Sequence, residues 1–386
     1  MNTTFKIDNE ILQANIDLDA NSIFIKSSPR PYEVLFKDDI FSYIEEKVKN
    51  NEFSYVFFID DNISELYKEK IKFMKDHTFK SFHAVEEFKN VDAAFDLCDT
   101  LLECNANRKT ILYVIGGGIM QDIGAYAAAT FKRGIPWVYV PTTLLGQSDS
   151  CVGGKTGLNY KKTKNLIALF SAPRQVLIDP IFISTLSPND IYSGHGEILR
   201  LVLTGGPDVF KIYKELIGKL QSKGEDFLNP NLVTIKKLIK LSLLVKKSVV
   251  EKDEFEINLR KSMNYGHSIG HAIEILCNHG IPHGQSVAIG ILIENLIAKE
   301  YLSLSENVIK EIHDIAKSII SKESFASLKS ISQESIIDIM RRDKKVEGQY
   351  LKLATICEYG NMKFIDFPLN EKSEKLINSF ISQIVK

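Results

Sequence analysis

Thr110-Ile111-Leu112-Tyr113-Val114-Ile115-Gly116-Gly117-Gly118-Ile119-Met120-Gln121-Asp122 reads as a strand running into a glycine turn and then a helix. Thr110–Ile115 is a short apolar run, rich in β-branched residues and suited to a strand covered on both faces. The glycines let the backbone turn tightly and approach a ligand closely, and the run Ile123–Phe131 continues as a helix. A helix N-terminus beside bare backbone offers N–H donors and the positive end of a dipole, which suits a diphosphate. The spacing is not Gly-x-Gly-x-x-Gly, so alone it fits a capped turn as well as a nucleotide site.

Working outward, further strand-like runs lie at Ser22–Lys26, Tyr32–Phe36, Tyr55–Ile59, Trp137–Val140 and Val176–Ile178. Helical patterns such as Ile63–Met74 and Val91–Asn105 fall between them, and this alternation predicts an α/β domain with a mostly parallel sheet. From about Ser187 strands nearly vanish. Long amphipathic patterns replace them at Asp190–Leu203, Leu232–Val250, Asn264–Leu276, Gln285–Leu302 and Glu306–Lys322, with Leu351–Cys357 as one late strand. The expected division is an α/β domain at 1–188 and an all-α domain at 189–386.

With 386 residues the chain is long enough for two domains, and 44% hydrophobic with 25% charged residues excludes a disordered or fibrous protein. A net charge of −1 argues against a general polyanion binder, so no nucleic-acid partner is expected. Five cysteines without a Cys-x-x-Cys pair argue against a disulfide framework and for a reducing compartment. The start MNTTFKIDNEILQ carries no signal-peptide pattern, and Glu294, Lys299 and Glu300 interrupt the apolar window Val287–Leu304. The expectation is a cytoplasmic protein without a membrane partner.

Three further stretches carry chemistry. Asp60 ends the strand Tyr55–Ile59, where a carboxylate serves a ribose or simply a turn. Pro141–Asn165 places Thr142, Thr143, Asp149, Lys155, Lys164 and Asn165 in one loop-rich stretch among glycines, which suits a phosphate or polyhydroxylated ligand or an ordinary solvated loop. In Asn264–Glu274, His267, His271 and Glu274 fall at i, i+4 and i+7 on one helical face, with Ile269, Ile273 and Leu276 roughly opposite for packing. His279 and His283 follow closely. Such a grouping suits a metal, with one histidine free to face a substrate instead. Glu197 offers a carboxylate, with His195 as a competing ligand; its spacing from Arg200 alone reads as an i,i+3 surface pair.

Taken in order, these motifs resemble the dehydroquinate synthase family of sugar-phosphate cyclases. The resemblance rests on GGGIMQD (116–122), FKRGIPWVYVPTTLLGQSDSCVGGKTGLN (131–159), Lys164-Asn165, GEILR (196–200), RKSMNYGHSIGHAIE (260–274) and HGQSVAIG (283–290). It implies an NAD-binding α/β domain at 1–188, a helical metal- and substrate-binding domain at 189–386, and a cytoplasmic homodimer. It further implies Glu197, His267 and His283 as ligands to zinc, with cobalt as an alternative, and His271 as a substrate-side histidine. Asp149, Lys155, Asn165, Lys246, Arg260, Asn264 and Lys345 match substrate positions, together with Arg200 where the family usually has lysine. Arg133 matches a position that reaches the neighbouring subunit's site. Asp60, Glu86, Lys89, Gly117, Gly118, Asp122, Thr142, Thr143 and Lys164 match the NAD side, with the Glu86–Lys89 match resting on the short motif HAVEEFKN.

The implied activity is 3-dehydroquinate formation from 3-deoxy-arabino-heptulosonate 7-phosphate, with NAD used catalytically. Departures are Arg200, Gln121 in the glycine motif, Gln285 after His283-Gly284, and Ala168-Leu169-Phe170 after the Lys-Asn pair. Asn264 and His271 differ from cyclases acting on sedoheptulose 7-phosphate, and Gly153–Gly157 differs from 2-deoxy-scyllo-inosose synthases. The alternatives are a cyclase for another substrate, of the amino-dehydroquinate or sedoheptulose 7-phosphate type, a metal-dependent polyol dehydrogenase, and a non-catalytic paralogue.

Overall fold

The structure is a computed structural model and describes all residues except 29, 50–51, 162, 223–227, 229–230, 279, 332–334, 343–345 and 386. His279 and Lys345 therefore lie outside the described residues. The chain forms two compact units, one of Asp19–Leu186 and one of Met1–Leu18 with Ser187–Lys386.

The Asp19–Leu186 unit is built on a seven-stranded sheet. In spatial order its strands are Ser22–Ile25, Tyr32–Phe36, Gln175–Ile178, Trp137–Pro141, Thr110–Gly116, Ser54–Asp60 and Thr78–Phe82. Only the edge strand Ser22–Ile25 is antiparallel to its neighbour, so the sheet is mostly parallel as expected. Thr110–Gly116 is buried at every residue because strands flank it and helices cover it, which explains its unbroken apolar run. Phe57, Ile59, Tyr113, Ile115, Val138 and Val140 form one core layer with Ile40, Phe41 and Ile44. The stretch expected as loop-rich folds further: Lys155–Tyr160 and Thr163–Phe170 pair as an antiparallel ribbon, preceded by a wide helical turn at Gly146–Ser150. Ile63–Met74 is not one helix, but a short helix Asp61–Leu66 and a 3-10 turn at Lys72–Asp76.

The second unit is helical, and Leu232–Val250 matches the sequence reading residue for residue. It also carries a five-stranded sheet, ordered Val346–Glu347, Tyr350–Glu358, Asn361–Pro368, Asn2–Ile7 and Glu10–Asn15. This corrects the expected all-α domain at 189–386 and the assignment of residues 1–18 to the α/β part. Asn2–Ile7 buries Thr3, Phe5 and Ile7 on one face and runs parallel to Asn361–Pro368. Its pairing partner lies at the far end of the chain, beyond the reach of local pattern. Among the described residues no helix is long and apolar enough to cross a membrane.

Candidate functional site

In the second unit, three helices carry the three residues expected as metal ligands. Glu197 lies within Pro188–Thr204, His267 opens His267–Leu276, and His283 opens His283–Leu302. Two glycines bring the first and last of these together. A Cβ on Gly196 would lie 1.9 Å from Gly284 O, and one on Gly284 would lie 1.8 Å from Ser193 O, so the two backbones touch. Glu197 and His283 each follow or precede that contact by one residue.

The result is a convergence of donors. Glu197 Oε1 lies 3.4 Å from His267 Nε2 and 3.1 Å from His283 Nε2. Ligand atoms about 2.0–2.1 Å from a shared tetrahedral zinc sit about 3.3 Å apart, so the spacing suits such an ion. The outer ring nitrogens agree. His267 Nδ1 faces Tyr265 O at 3.3 Å, and His283 Nδ1 faces Glu274 Oε2 at 3.4 Å. The tautomer that donates Nδ1–H to both acceptors leaves both Nε2 lone pairs aimed at a carboxylate oxygen. A metal ion, or a proton on one imidazole, would relieve the approach of these lone pairs to the carboxylate oxygen. The residues therefore fit a divalent metal.

The electrostatics point the same way. Burial would raise the Glu197 carboxyl, but Arg200 and the two imidazoles override it and hold the group well below the usual range. Burial dominates at His267 and lowers it. At His283 burial is outweighed by Glu197 and Glu274, which raise the imidazole to about 10. Without a metal, a proton on His283 takes the cation's place.

His271 belongs to the same group: its ring centroid is 5.2 Å from that of His267 and 5.4 Å from that of His283. One ligand atom from each of these three histidines lies within 4.8 Å of the others. His195, the competing ligand, is fully buried, stands outside this trio, and burial lowers it to about 3. The expected surface pair of Glu197 and Arg200 does form, but both residues are buried, at 1% and 2% exposure. Arg200 Nε donates to Glu197 Oε2 at 2.6 Å and its Nη1 donates to Met263 O at 2.6 Å. The guanidinium fork thus spans the carboxylate and a backbone carbonyl, which a lysine ammonium would not do with fixed geometry. Gln285 turns away from the histidines: Nε2 donates to Asn189 Oδ1 at 3.2 Å and Oε1 accepts from Ser321 N at 2.8 Å. It links three segments and makes no hydrogen bond to His267, Glu197 or His283.

Of the expected substrate residues in this unit, Lys246 and Arg260 are buried. The Arg260 backbone N–H donates to Asp253 Oδ2 at 3.0 Å, and Asn264 Nδ2 donates to Glu256 Oε1 at 3.0 Å. Sequence reasoning missed the supporting carbonyls of Tyr265 and Met263. It noted Glu274 only as part of a helical face; the i+7 spacing that placed it there was the available signal.

In the Asp19–Leu186 unit the glycine turn forms as expected, opening the helix Gly118–Thr130. A Cβ on Gly117 would meet Thr143 Cγ2 at 3.0 Å, whereas one on Gly118 would meet nothing within 4 Å. The turn is walled on one side by Thr143 and open over Gly118, leaving space at the helix N-terminus for an anion. Thr142 N–H donates to Gly116 O at 3.0 Å, and Thr143 Oγ1 accepts from Gly146 N at 3.0 Å. Asp60 accepts from Asn62 N at 2.9 Å, and burial raises its carboxyl.

A polar chain connects several expected residues. Lys89 Nζ donates to Asp122 Oδ2 at 2.8 Å and Asn165 Oδ1 at 2.6 Å, while Asp122 Oδ1 accepts from Gly157 N at 3.1 Å. Asn165, at φ 53°, donates its N–H to Asn159 Oδ1, and Asn159 Nδ2 donates to Glu86 Oε1 at 2.9 Å. Burial pushes the Asp122 carboxyl up against the pull of Lys89. Gln121, the departure from glycine, is buried and clasps Ser150, donating to its carbonyl at 2.9 Å and accepting from its hydroxyl at 2.6 Å. It anchors the turn that carries Asp149. Lys155 and Lys164 are exposed on the ribbon, and Arg133 is exposed in a 3-10 turn at φ 66°.

A parallel-sheet unit with a glycine turn, and a helical unit with a Glu-His-His convergence, define the class of dehydroquinate synthase-like proteins. Solved structures share this fold. A 2-deoxy-scyllo-inosose synthase, complexed with carbaglucose-6-phosphate, NAD+ and Co2+, aligns with a TM-score of 0.79 at 22% identity, covering 94% of this chain and 99% of its own. ValA, a 2-epi-5-epi-valiolone synthase from Streptomyces hygroscopicus subsp. jinggangensis 5008 with NAD+ and Zn2+ bound, aligns at 0.71 and 21% identity, covering 93% and 98%. The profile for the 3-dehydroquinate synthase N-terminal region matches residues 80–193, and that for the C-terminal region matches residues 194–346. The 3-dehydroquinate synthase of Prochlorococcus marinus (strain MIT 9211) is 32% identical over 369 residues, covering 92% of this chain and 96% of that protein. That of Streptococcus equi subsp. equi (strain 4047) is 30% identical over 359 residues, with the same coverage. The chain belongs to the 3-dehydroquinate synthase family.

Proposed function

We propose that this chain converts 3-deoxy-arabino-heptulosonate 7-phosphate to 3-dehydroquinate and phosphate by oxidation, phosphate elimination, reduction and intramolecular aldol closure. The observation that carries the reading is the convergence of His267 Nε2 and His283 Nε2 on Glu197 Oε1, within a chain of this family. When bound, zinc or cobalt would supply Lewis acidity to a substrate oxygen, and NAD a hydride acceptor that returns what it takes. Because the redox steps cancel, a trace of NAD+ suffices.

Glu197, His267 and His283 hold the metal, and Arg200 keeps Glu197 ionised by donating to the oxygen that faces away from the histidines. His271, beside that group, orients the substrate hydroxyl or moves its proton. Lys246 and Arg260 neutralise the substrate carboxylate; Asp149, Lys155, Asn165, Asn264 and Lys345 hold its remaining polar groups. On the nucleotide side, the turn at Gly117 and Gly118 with Thr142 and Thr143 receives the diphosphate. Asp60, Glu86, Lys89, Asp122 and Lys164 complete that site. The enzyme works as a cytoplasmic homodimer in which Arg133 serves the neighbouring subunit, with NAD bound by the α/β part and metal and substrate by the helical part.

Purified protein with substoichiometric NAD+ tests this by inorganic phosphate release. Release from the heptulosonate without accumulating NADH is expected. Release only from sedoheptulose 7-phosphate would overturn the substrate, and NADH accumulation from a polyol without phosphate release would instead mark a dehydrogenase.

A further inference from the structure

The amide between Tyr265 and Gly266 is bonded at both ends. Its N–H donates to Glu294 Oε2 at 2.6 Å, and its carbonyl faces His267 Nδ1 at 3.3 Å. Glu294 is fully buried and lies eleven residues after His283 in the helix His283–Leu302, three turns along one face. The next residue, Asn295, accepts from the Tyr265 hydroxyl, so neighbouring side chains of this helix grip the ring and the following amide. Glycine is required at 266: its φ is +78° and a Cβ would lie 2.6 Å from Val287 O.

The geometry points to Glu294 as a positioning residue for the metal ligand His267, acting through the Tyr265–Gly266 amide. A carboxyl oxygen on an amide N–H polarises the opposite carbonyl and strengthens it as an acceptor. That fixes the Nδ1–H tautomer of His267 and its ring angle, leaving Nε2 to the metal. His283 receives the same support directly from Glu274. The inference rests on the metal site proposed above. It adds that each ligand histidine has its own carboxylate, one acting directly and the other through a peptide unit.

Glu294→Gln, Glu294→Asp and Glu274→Gln are compared with the unmodified protein in Co2+ affinity, by competition against a chelator, and in the shifted imidazole N–H resonances of the Co2+-loaded proteins. Glu294→Gln should weaken Co2+ binding by about tenfold and move the Nδ1–H resonance of His267 but not that of His283. Glu294→Asp should recover part of the affinity, and Glu274→Gln should move the His283 resonance alone. A Glu294→Gln protein with unchanged affinity and an unmoved His267 resonance overturns the inference. No Co2+ uptake by the unmodified protein would defeat the metal site itself, a distinct result. If Glu294→Gln does not fold, amide exchange in the unmodified protein decides. Metal loading should slow Gly266 more than Ser268 or Ile269, and equal slowing overturns the inference.

Discussion

At the scale of single residues, the site is a balance between one buried carboxylate and the cations around it. Glu197→Ala and His283→Ala should each abolish metal retention after dialysis, whereas His271→Ala should keep the metal and lose activity, as elemental analysis beside a phosphate assay would show. Equal dependence of metal loading on His271 would give the third ligand position to that imidazole. Proton linkage supplies a second check. His283 is raised to about 10 in the metal-free protein, so it is charged from neutral pH up to that value, and an incoming metal must displace its proton. Titration at pH 8 in buffers of different ionisation enthalpy should therefore report about one proton released per metal bound, with less release above pH 10. Much of this site was legible locally, because two histidines four apart on a helix betray themselves by period. The role of Glu197 was not. Its i,i+3 relation to Arg200 is real, and only burial and two distant imidazoles set it apart from a surface ion pair.

At the scale of elements, helix contact decides whether those residues meet. Gly196 and Gly284 allow Pro188–Thr204 and His283–Leu302 to touch backbone to backbone, and nothing larger than hydrogen fits. Gly196→Ala should force the helices apart, costing about 3 kcal/mol or more in thermal or urea unfolding and lowering metal affinity with it. Unchanged stability would mean that the contact relaxes without cost. Neither glycine could be assigned this role from sequence, because a small residue within a helix says nothing of which partner it approaches. The parallel strands were readable for the opposite reason: burial on both faces writes itself into continuous apolar runs such as Thr110–Ile115. The ribbon of Lys155–Tyr160 and Thr163–Phe170 was missed because its lysines, and the glycines just before it, read as a loop, and its apolar run Leu166–Phe170 lies on a strand with no buried residue.

At the scale of the whole molecule, the second unit draws on both ends of the sequence. Deleting residues 1–18 should therefore unsettle that unit rather than the α/β one. Hydrogen exchange should show lost protection around Asn361 and Met362, which pair with Lys6 and Ile7, and retained protection along Thr110–Gly116. Loss confined to the α/β sheet would contradict the division. The sequence reading missed Asn2–Ile7 as a strand although Thr3, Phe5 and Ile7 alternate, and a local pattern names no partner so distant in the chain. The same pairing has a consequence during synthesis. A ribosome releases Asn2–Ile7 long before Asn361–Pro368, so the earlier strand emerges with its partner still untranslated. The central α/β segment is free to fold in the meantime, and closure of the terminal sheet is left as a late event of biogenesis.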